Sequence, residues 1–379
     1  MKRIVSIGIV SLLIFTSIFM FSATRELNRW NDISMFPQGG GGGNDEELAA
    51  FERTYSLFNL EPYPKDLGVT RRLLSKVVGE NRTDNGTLKY PAIYIRKLGR
   101  LGNNILQLSN AIYLSEVMNV STIYIPKGFC RITRNVTTSK GIRIAPTKRK
   151  PEDALALHRE LYGMTSGGYC PEDRVYEFAG ETLRGVPRVK TGANELYVHV
   201  RSGDIFGEKI NKYYGQPPLC FYEGIIKRWG FRRVYILTED TRNPVIAPLV
   251  LRHKAKLIKA DLPQTIGYVL GARNLVLSFG TFLPALLRLV PDGTERKKGR
   301  KTTTTRRIFR YGNRLEVNSV VWKRFYFTEP SEYYTANLLS ENWNNTREQL
   351  DIMVNETCGD VWKVSMHTNY SSQHGFDRI

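Results

Sequence analysis

Three polar residues follow an apolar run in the segment Leu196–Asp204, which reads L-Y-V-H-V-R-S-G-D. The run predicts a strand, with His199, Arg201 and Asp204 near its end. Ligands of open α/β sheets bind at the carboxyl ends of strands, and a guanidinium holds a pyrophosphate through paired hydrogen bonds. We therefore expect Arg201 to bind phosphate and Asp204 to orient it through an ion pair. The alternative is a purely structural Arg–Asp pair, but polar groups beside a buried strand are costly unless used.

A glycine-containing element, Gly99-Arg-Leu-Gly-Asn-Asn, lies between a predicted strand and a predicted helix. Its glycines, Gly99 and Gly102, let a ligand approach the backbone, and the N-terminus of the following helix favours phosphate. Arg100 and Asn103 add hydrogen-bonding groups. By spacing alone, the favoured interpretation is a tight turn with an asparagine helix cap. The element matches neither the P-loop nor the dinucleotide-binding glycine pattern.

Two further predicted strand ends carry polar residues, in Ser278–Phe282 and Thr238–Asp240. Ser278 and Thr281 are expected to contact phosphate or ribose, although a hydroxyl helix cap is the common alternative. The segment Thr238–Asp240 by itself indicates little more than possible ribose or base contacts. The sequence contains no Asp-x-Asp triplet. We therefore expect arginine and helix dipoles, rather than a carboxylate-bound metal, to neutralise a diphosphate.

Strands and helices alternate around these elements. The predicted strands are residues 92–96, 121–125, 196–200, 234–237, 256–258 and 275–277, and the predicted helices are 104–118, 219–229, one after Pro244, 265–272 and 282–289. This alternation predicts parallel sheets with right-handed crossovers. We expect an α/β protein with two Rossmann-like domains, at 89–190 and 191–379, facing a cleft. The segment 130–190 is predicted to be less regular.

The N-terminus is unlike the rest of the chain. Lys2 and Arg3 precede an apolar run, Ile4–Phe21, which as a helix reaches roughly 27 Å, enough to cross a bilayer core. We expect residues 1–23 to be a cytoplasmic tail and uncleaved signal-anchor helix. The alternative is a signal peptide cleaved after Ala23, but its usual apolar region is shorter. Residues 24–88, with the flexible run Gly39–Gly43, are predicted to form a stem.

Sequons and cysteines indicate that the body faces the lumen of the secretory pathway. Seven asparagines stand in N-x-[ST] patterns, namely Asn81, Asn85, Asn119, Asn135, Asn344, Asn355 and Asn369. Four cysteines fit an oxidising compartment, and their three possible pairings stay open. No Cys/His spacing indicates a metal site. We expect a single-pass type II protein of the Golgi membrane.

The formal net charge is +19. In a nuclear protein this charge would suggest nucleic acid. In a protein with a membrane anchor and seven sequons, the positive charge fits anionic substrates such as nucleotide sugars. A nucleic-acid partner is therefore disfavoured. Part of the charge is concentrated in residues 293–310, which we interpret as a solvated insertion loop.

Taken together, the polar elements resemble the GDP-fucose-dependent transferases of the alpha-1,2/alpha-1,6/protein-O-fucosyltransferase superfamily, with the alpha-1,2 group (glycosyltransferase family 11) the closest match. Gly99–Asn104 resembles their G-[GR]-[LF]-G-N-Q element, with Asn104 in place of glutamine. His199–Asp204 resembles their H-x-R-R-x-D element, and Ser278–Phe282 is similar to their serine/threonine-rich element. The resemblance covers roughly residues 90–290. Ser202 stands where a second arginine is usual, which bears on donor affinity or donor identity.

The resemblance implies a GT-B-like fold, GDP-fucose as donor, no cofactor, and inversion at the sugar carbon without a metal. It implies that Arg201 binds the diphosphate, with Arg100 and Asn103 lining the cleft and Ser278 and Thr281 near the phosphates or guanosine. We expect Glu208, just past the Arg201–Asp204 turn, to be the general base, with Asp204 as the rival. Two other readings stay open: a Golgi transferase with another donor, such as a sulfotransferase, and a non-catalytic carbohydrate-binding ectodomain.

Overall fold

The computed structural model describes residues 77, 79, 81, 83, 87–97, 99–158, 161, 172–208, 210–212, 214–290, 296–297, 300–301, 306–312 and 323–364. The predicted anchor, nearly all of the stem, Cys170 and the sequons at Asn85 and Asn369 lie outside these ranges. Within them, no helix combines the length and the apolar character that a bilayer crossing needs.

The first parallel sheet is formed before residue 158. Its strands are β1 (Ala92–Ile95), β2 (Thr122–Pro126), β3 (Val136–Thr137), β4 (Arg143–Thr147) and β5 (Ala154–Leu157). Their order is β3-β4-β2-β1-β5, and only β3 runs antiparallel to its neighbour. Helix α1 (Leu101–Met118) connects β1 to β2. Because β1 lies between β2 and β5, the loop after β1 leaves the sheet at a topological switch point, where open α/β sheets bind ligands.

Residues 130–190, which we expected to be less regular, contain three short strands and one helix that the sequence did not predict. β3, β4 and β5 all fall in this segment, as does α2 (Tyr176–Thr182). Strand β3 has only two residues, and β4 contains Pro146. Strands this short, one of them containing a proline, produce too little apolar periodicity to be recognised in the sequence.

The second sheet contains the remaining strands. They are β6 (Glu195–His199), β7 (Arg233–Leu237), β8 (Lys256–Ile258), β9 (Asn274–Val276), the separate hairpin β10 (Arg296–Lys297) and β11 (Arg300–Lys301), then β12 (Arg306–Tyr311), β13 (Lys323–Thr328) and β14 (Trp362–Val364). The sheet order is β14-β13-β12-β9-β6-β7-β8, and only β14 is antiparallel. Read from β8 to β13, this is the Rossmann order 3-2-1-4-5-6, with the switch point between β6 and β9.

Helices cover this sheet and bury its central strands, as parallel sheets require, while the edge strand β8 is largely exposed. They are α3 (Leu219–Trp229), α4 (Ile246–His253), α5 (Leu262–Gly271), α6 (Phe282–Arg288), α7 (Glu332–Tyr334) and α8 (Arg347–Asn355). The apolar side chains of α3 recur on one face, and the helix ends at Gly230 in the left-handed conformation. A disulfide joins Cys220 in α3 to Cys358 after α8, which settles one of the open cysteine pairings.

The basic stretch 293–310 is not one solvated loop. Its end forms β12, a strand between β9 and β13 whose Ile308 and Phe309 are fully buried. Arg306 is buried as well, and its guanidinium donates to the carbonyls of Ala272 and Val269 at the end of α5. Burial lowers the pKa of Arg306 to about 10. The interpretation of this stretch as a solvated loop was wrong because the many charged residues in the sequence made its few apolar residues hard to recognise as a buried strand.

Candidate functional site

Arg201 follows β6, at the switch point of the second sheet. Its side chain is only 17% exposed, and its Nη2 lies 3.4 Å from both oxygens of Asp204. Charge-assisted hydrogen bonds are normally about 2.7–2.9 Å long, so this pairing is loose. The guanidinium carbon lies 4.2 Å from the ring centroid of Tyr214, where a cation–π contact holds it. Arg201 is therefore positioned, while its N–H groups retain capacity for a stronger acceptor.

Arg100, which follows β1, connects the two sheets. Its Nη2 lies 3.4 Å from the Asp204 carboxylate, and its Nη1 donates to Glu239 at 2.8 Å. Asp204 thus contacts two guanidiniums that come from different sheets. Arg100 is 62% exposed, so solvent reaches this cluster. The ends of β1, β6 and β7 meet at this arginine.

His199 and Ser278 bridge the two strands that flank the second switch point. The His199 Nδ1 and the Ser278 Oγ lie 2.7 Å apart, and β6 and β9 are hydrogen-bonded neighbours. Burial lowers the pKa of His199 to about 4, and the charge of Arg201 acts in the same direction. The imidazole is therefore neutral near pH 7, and one of the pair donates to the other. Phe282 lies against the ring, with centroids 5.7 Å apart.

Two glycines are needed for this arrangement. Gly280 has φ +127°, and a Cβ there would lie 2.7 Å from the Arg201 Nη1. A Cβ at Gly102 would lie 2.6 Å from the Phe282 Cα and 2.7 Å from its backbone nitrogen. Beside this contact, the Thr281 hydroxyl makes a hydrogen bond with the Asn103 side-chain oxygen. The glycine-containing element and the Ser278–Phe282 element are therefore in direct backbone contact.

The helix-capping alternatives do not hold for either element. Helix α1 begins at Leu101, three residues before the predicted start, so Gly102, Asn103 and Asn104 lie inside its first turn. Its N-cap is Arg100, without a side-chain cap hydrogen bond. Thr281 is the N-cap of α6, and it also makes no such bond. The strained position just before α1 is Gly99, whose φ is +70°.

Ser202 has a structural role that the sequence did not reveal. It is fully buried, its hydroxyl hydrogen-bonds Asp240, and it accepts from the backbone N–H of Asn243 at 3.1 Å. The Asn243 amide in turn donates to the Arg201 carbonyl at 2.8 Å. Ser202 therefore fixes the loop that carries Arg201.

Asp240 anchors the same loop. It accepts hydrogen bonds from the Gly203 N–H at 3.2 Å and from the Arg242 N–H and Nε at 3.0 and 2.6 Å. Burial acts to raise the pKa of Asp240, but the bonds from Ser202, Arg242 and Gly203 together hold it below its usual range. The sequence drew attention to Thr238–Asp240 as a strand end. It gave no sign that Asp240 binds the neighbouring loop, because that contact is long-range.

Glu208 and the sequon asparagines do not take part in the contacts among Arg100, Arg201 and Asp204. Glu208 is exposed and makes no hydrogen bond or ion pair with a described residue. Asn81 is fully buried, and its amide exchanges hydrogen bonds with the backbone of Tyr90. A glycan on that nitrogen would break this arrangement, so the structure disfavours this sequon as a glycan site. Four sequon asparagines are exposed: Asn119, Asn135, Asn344 and Asn355.

The described residues contain no cluster of three or more His, Cys, Asp or Glu side chains arranged to hold a metal ion. Comparisons of the chain with protein-family models, with curated proteins and with solved structures found no match. Fold and site together define a mixed α/β protein with parallel, Rossmann-like sheets. A cluster of arginines and carboxylates lies where the two switch points meet.

Proposed function

We propose that the protein is an inverting glycosyltransferase that moves fucose from GDP-fucose to a glycan hydroxyl without a metal ion. One observation carries the proposal: three elements far apart in the sequence converge around two arginines. Arg100 and Arg201 share Asp204, and Gly280 lies against Arg201. A pair of arginines at the carboxyl ends of parallel strands is best suited to binding a diphosphate.

The chemical step needs positive charge at the leaving group. Cleavage of the bond between fucose and GDP leaves negative charge on the diphosphate, while the sugar becomes oxocarbenium-like. Tyr214 fixes Arg201, and the bond from Arg201 to Asp204 is long. The N–H groups of Arg201 can therefore bond a phosphate oxygen more closely than they bond the Asp204 carboxylate. Removing such a preorganised donor costs about a hundredfold in rate.

The acceptor hydroxyl must lose a proton as it attacks the sugar carbon. We propose Glu208 as the base, because its exposed carboxylate makes no ion pair with a described residue and so keeps its capacity to accept a proton. Asp204 is less suited, since it contacts two guanidiniums, and we assign it to positioning them. Glu208→Gln should lower kcat about a hundredfold or more, whereas Asp204→Asn should mainly raise KM for the donor.

The proposed setting is the Golgi lumen, with a GT-B-like pair of domains held behind a type II anchor and stem. The four exposed sequon asparagines and the Cys220–Cys358 disulfide support a lumenal body. Glycan mapping of the secreted-pathway protein tests this. Endoglycosidase-sensitive mass at Asn119, Asn135, Asn344 or Asn355 is expected, and its absence at all four would contradict a lumenal location.

A donor panel tests the function itself. The full-length chain in detergent is incubated with GDP-fucose, GDP-mannose, UDP-galactose, CMP-sialic acid and 3′-phosphoadenylyl sulfate, and hydrolysis and Tm are recorded. GDP-fucose should raise Tm and be hydrolysed most rapidly. Hydrolysis or stabilisation by the sulfate donor alone would support a sulfotransferase, and no response to any donor would support a non-catalytic ectodomain.

Addition of a chelator distinguishes neutralisation of the diphosphate by arginine from neutralisation by a bound metal ion. Turnover of GDP-fucose should be unchanged by EDTA, because the fixed guanidinium of Arg201 supplies the charge. A strong loss that Mn²⁺ or Mg²⁺ restores would overturn the metal-independent mechanism while leaving the donor assignment in place.

A further inference from the structure

The segment that carries Tyr214 has no helix or strand to hold it in place. Residues 214–218 connect the turn after β6 to the start of α3, outside any regular element. The Tyr214 ring nevertheless lies 4.2 Å from the Arg201 guanidinium carbon and is only partly exposed. Tertiary contacts must therefore fix the ring beside this guanidinium.

Gln216 stabilises this segment from within. Its side chain is fully buried, and its amide nitrogen donates to the carbonyls of Tyr214 and Gly215 at 3.1 and 3.3 Å. A backbone carbonyl outside a helix or sheet needs such a partner, because a buried carbonyl without a hydrogen bond is costly. The Gln216 amide therefore favours one backbone conformation for residues 214–216.

Residues 331–343, near the C-terminus, hold this segment from outside. The Tyr334 hydroxyl donates to the carbonyl of Gln216. Tyr334 is fully buried, and burial raises its pKa well above the usual value, so the hydroxyl keeps its proton. A Cβ at Gly215 would overlap the carbonyl oxygen of Leu338. The two stretches of backbone are therefore in direct contact at this glycine.

Trp343 binds the same loop on the other side of Tyr214. Its backbone N–H donates to the Lys212 carbonyl at 3.2 Å, and its buried indole nitrogen donates to the Ile205 carbonyl at 3.3 Å. The side chain of Lys212 also pairs with Glu341 at 2.8 Å. Residues 331–343 therefore contact the chain both before and after Tyr214.

We propose that Tyr334 is a positioning residue of the donor site. Through Gln216 and Tyr214 it holds the Arg201 guanidinium in place. The inference rests on the proposed function, in which Arg201 takes the charge of the departing diphosphate. A donor group stabilises developing charge best when it is fixed before the reaction begins. Without the bond from Tyr334 to Gln216, the segment can carry the aromatic ring away from the guanidinium, which then loses its fixed position.

The test begins with Tyr334→Phe, which removes the hydroxyl and keeps the ring. Turnover of saturating GDP-fucose by the full-length chain in detergent is measured per folded protein, and the affinity for GDP is measured by calorimetry. GDP carries the charge that develops as the bond to fucose breaks, so both values report on Arg201. The kcat and the GDP affinity should each fall about fivefold, since one buried hydrogen bond is lost.

Tyr222→Phe is the matched control. The Tyr222 hydroxyl is equally buried, yet it makes no hydrogen bond with a described residue. The two phenols lie in the same part of the core, because Tyr222 contributes to the raised pKa of Tyr334. Tyr222→Phe should leave both kcat and the affinity for GDP unchanged.

Changes at Tyr214 show whether Tyr334 acts through this ring. Tyr214→Leu removes the ring and should lower kcat about tenfold, whereas Tyr214→Phe keeps a ring and most of the rate. In the Tyr214→Leu protein, Tyr334→Phe should have no further effect on kcat, since the two residues act in series. A merely structural role of Tyr334 would lower the folded fraction and leave kcat per folded protein unchanged.

The possible results separate this inference from the proposed function. Turnover of GDP-fucose with unchanged kcat and GDP affinity in Tyr334→Phe overturns the inference alone, as does an equal loss with and without the Tyr214 ring. Weaker GDP binding by Tyr334→Phe, but not by Tyr222→Phe, in a protein that turns over no donor supports the positioning role and defeats the fucosyltransferase proposal. No binding of GDP by the unaltered protein overturns both.

Discussion

The two sheets have the same topology at their switch points but different chemistry. β1 lies between β2 and β5, and β6 lies between β7 and β9. After β6, Ser202 is buried and hydrogen-bonds Asp240, and Arg201 is largely buried beside the exposed Asp204. Directly after β1, Arg96 and Lys97 are exposed and make no ion pair with a described residue. The topology of the sheet therefore determines where a site forms. The hydrogen bonding of the polar residues at that place determines which ligand the site can bind.

This difference fits two kinds of ligand. A network of fixed hydrogen bonds holds Arg201 in one place, which suits a constant chemical group whose charge develops during a reaction. Exposed lysines and arginines have no fixed geometry, which suits a charged ligand whose shape varies.

The largest effect is expected at Gly102, where α1 touches the start of α6. Gly102→Ala should destabilise the protein by about 3 kcal/mol, because the new Cβ meets backbone atoms that cannot move independently. Urea denaturation measures this. The matched control is Gly224→Ala in α3, where no atom lies within 4 Å of the new Cβ, and the same change should stabilise by roughly 0.5–1 kcal/mol. Equal changes in the free energy of unfolding for Gly102→Ala and Gly224→Ala would show that α1 and α6 are not in contact at Gly102.

His199 should make stability depend on pH. Its pKa is about 4 when folded and 6.5 ordinarily, so between these values the unfolded chain binds a proton that the folded chain does not. Stability should therefore fall by about 2 kcal/mol from about pH 7.5 to pH 5 through this group. His199→Asn should remove that part of the slope. An unchanged slope in the variant would mean that the imidazole is protonated in the folded protein.

Ser202→Ala tests the network that fixes the Arg201 loop. It removes a buried hydroxyl bonded to Asp240 and Asn243, and should cost about 1 kcal/mol at neutral pH. The depressed pKa of Asp240 contributes stability that is present above its ordinary value of 3.8 and is lost as the pH falls below it. In Ser202→Ala this acid-induced loss should be smaller. If the loss were unchanged, Ser202 would not be among the groups that hold the Asp240 carboxylate charged.

The smallest effect is expected at Arg149, in the loop after β4. Arg149→Ala should change the free energy of unfolding by less than about 0.5 kcal/mol, because the side chain is exposed and has no side-chain partner among the described residues. Thermal unfolding of Arg149→Ala is compared with that of Arg134→Ala, which loses the ion pair with Glu181. A loss at Arg149 larger than that at Arg134 would show that the exposed Arg149 side chain has a structural role.

Much of the second sheet could be predicted because its strands and helices carry strong local patterns. Helix α3 and strand β8 have the predicted bounds, and most other elements are within one to three residues of theirs. The convergence of Arg201 and Arg100 on Asp204 agrees with the expectation that the carboxyl ends of parallel strands form one site. That expectation required only the positions of strands and of polar residues.

What could not be predicted depends on contacts between distant residues. The buried role of Ser202 arises from Asp240 and Asn243, about forty residues away, and no local pattern encodes it. Arg306 looked like part of a solvated loop because its partners are carbonyls at the end of α5. The strands between residues 136 and 157 were missed because they are short and paired only through the sheet.

The most direct test of the account is the turnover of GDP-fucose by Arg201→Ala at saturating donor, measured beside Arg252→Ala, an exposed arginine paired with Glu223. The account predicts that Arg201→Ala lowers kcat by about a hundredfold or more, that added guanidine restores part of the rate, and that Arg252→Ala behaves as the unaltered protein does. Near-full turnover by a folded Arg201→Ala protein would contradict the claim that this guanidinium takes the charge of the departing diphosphate.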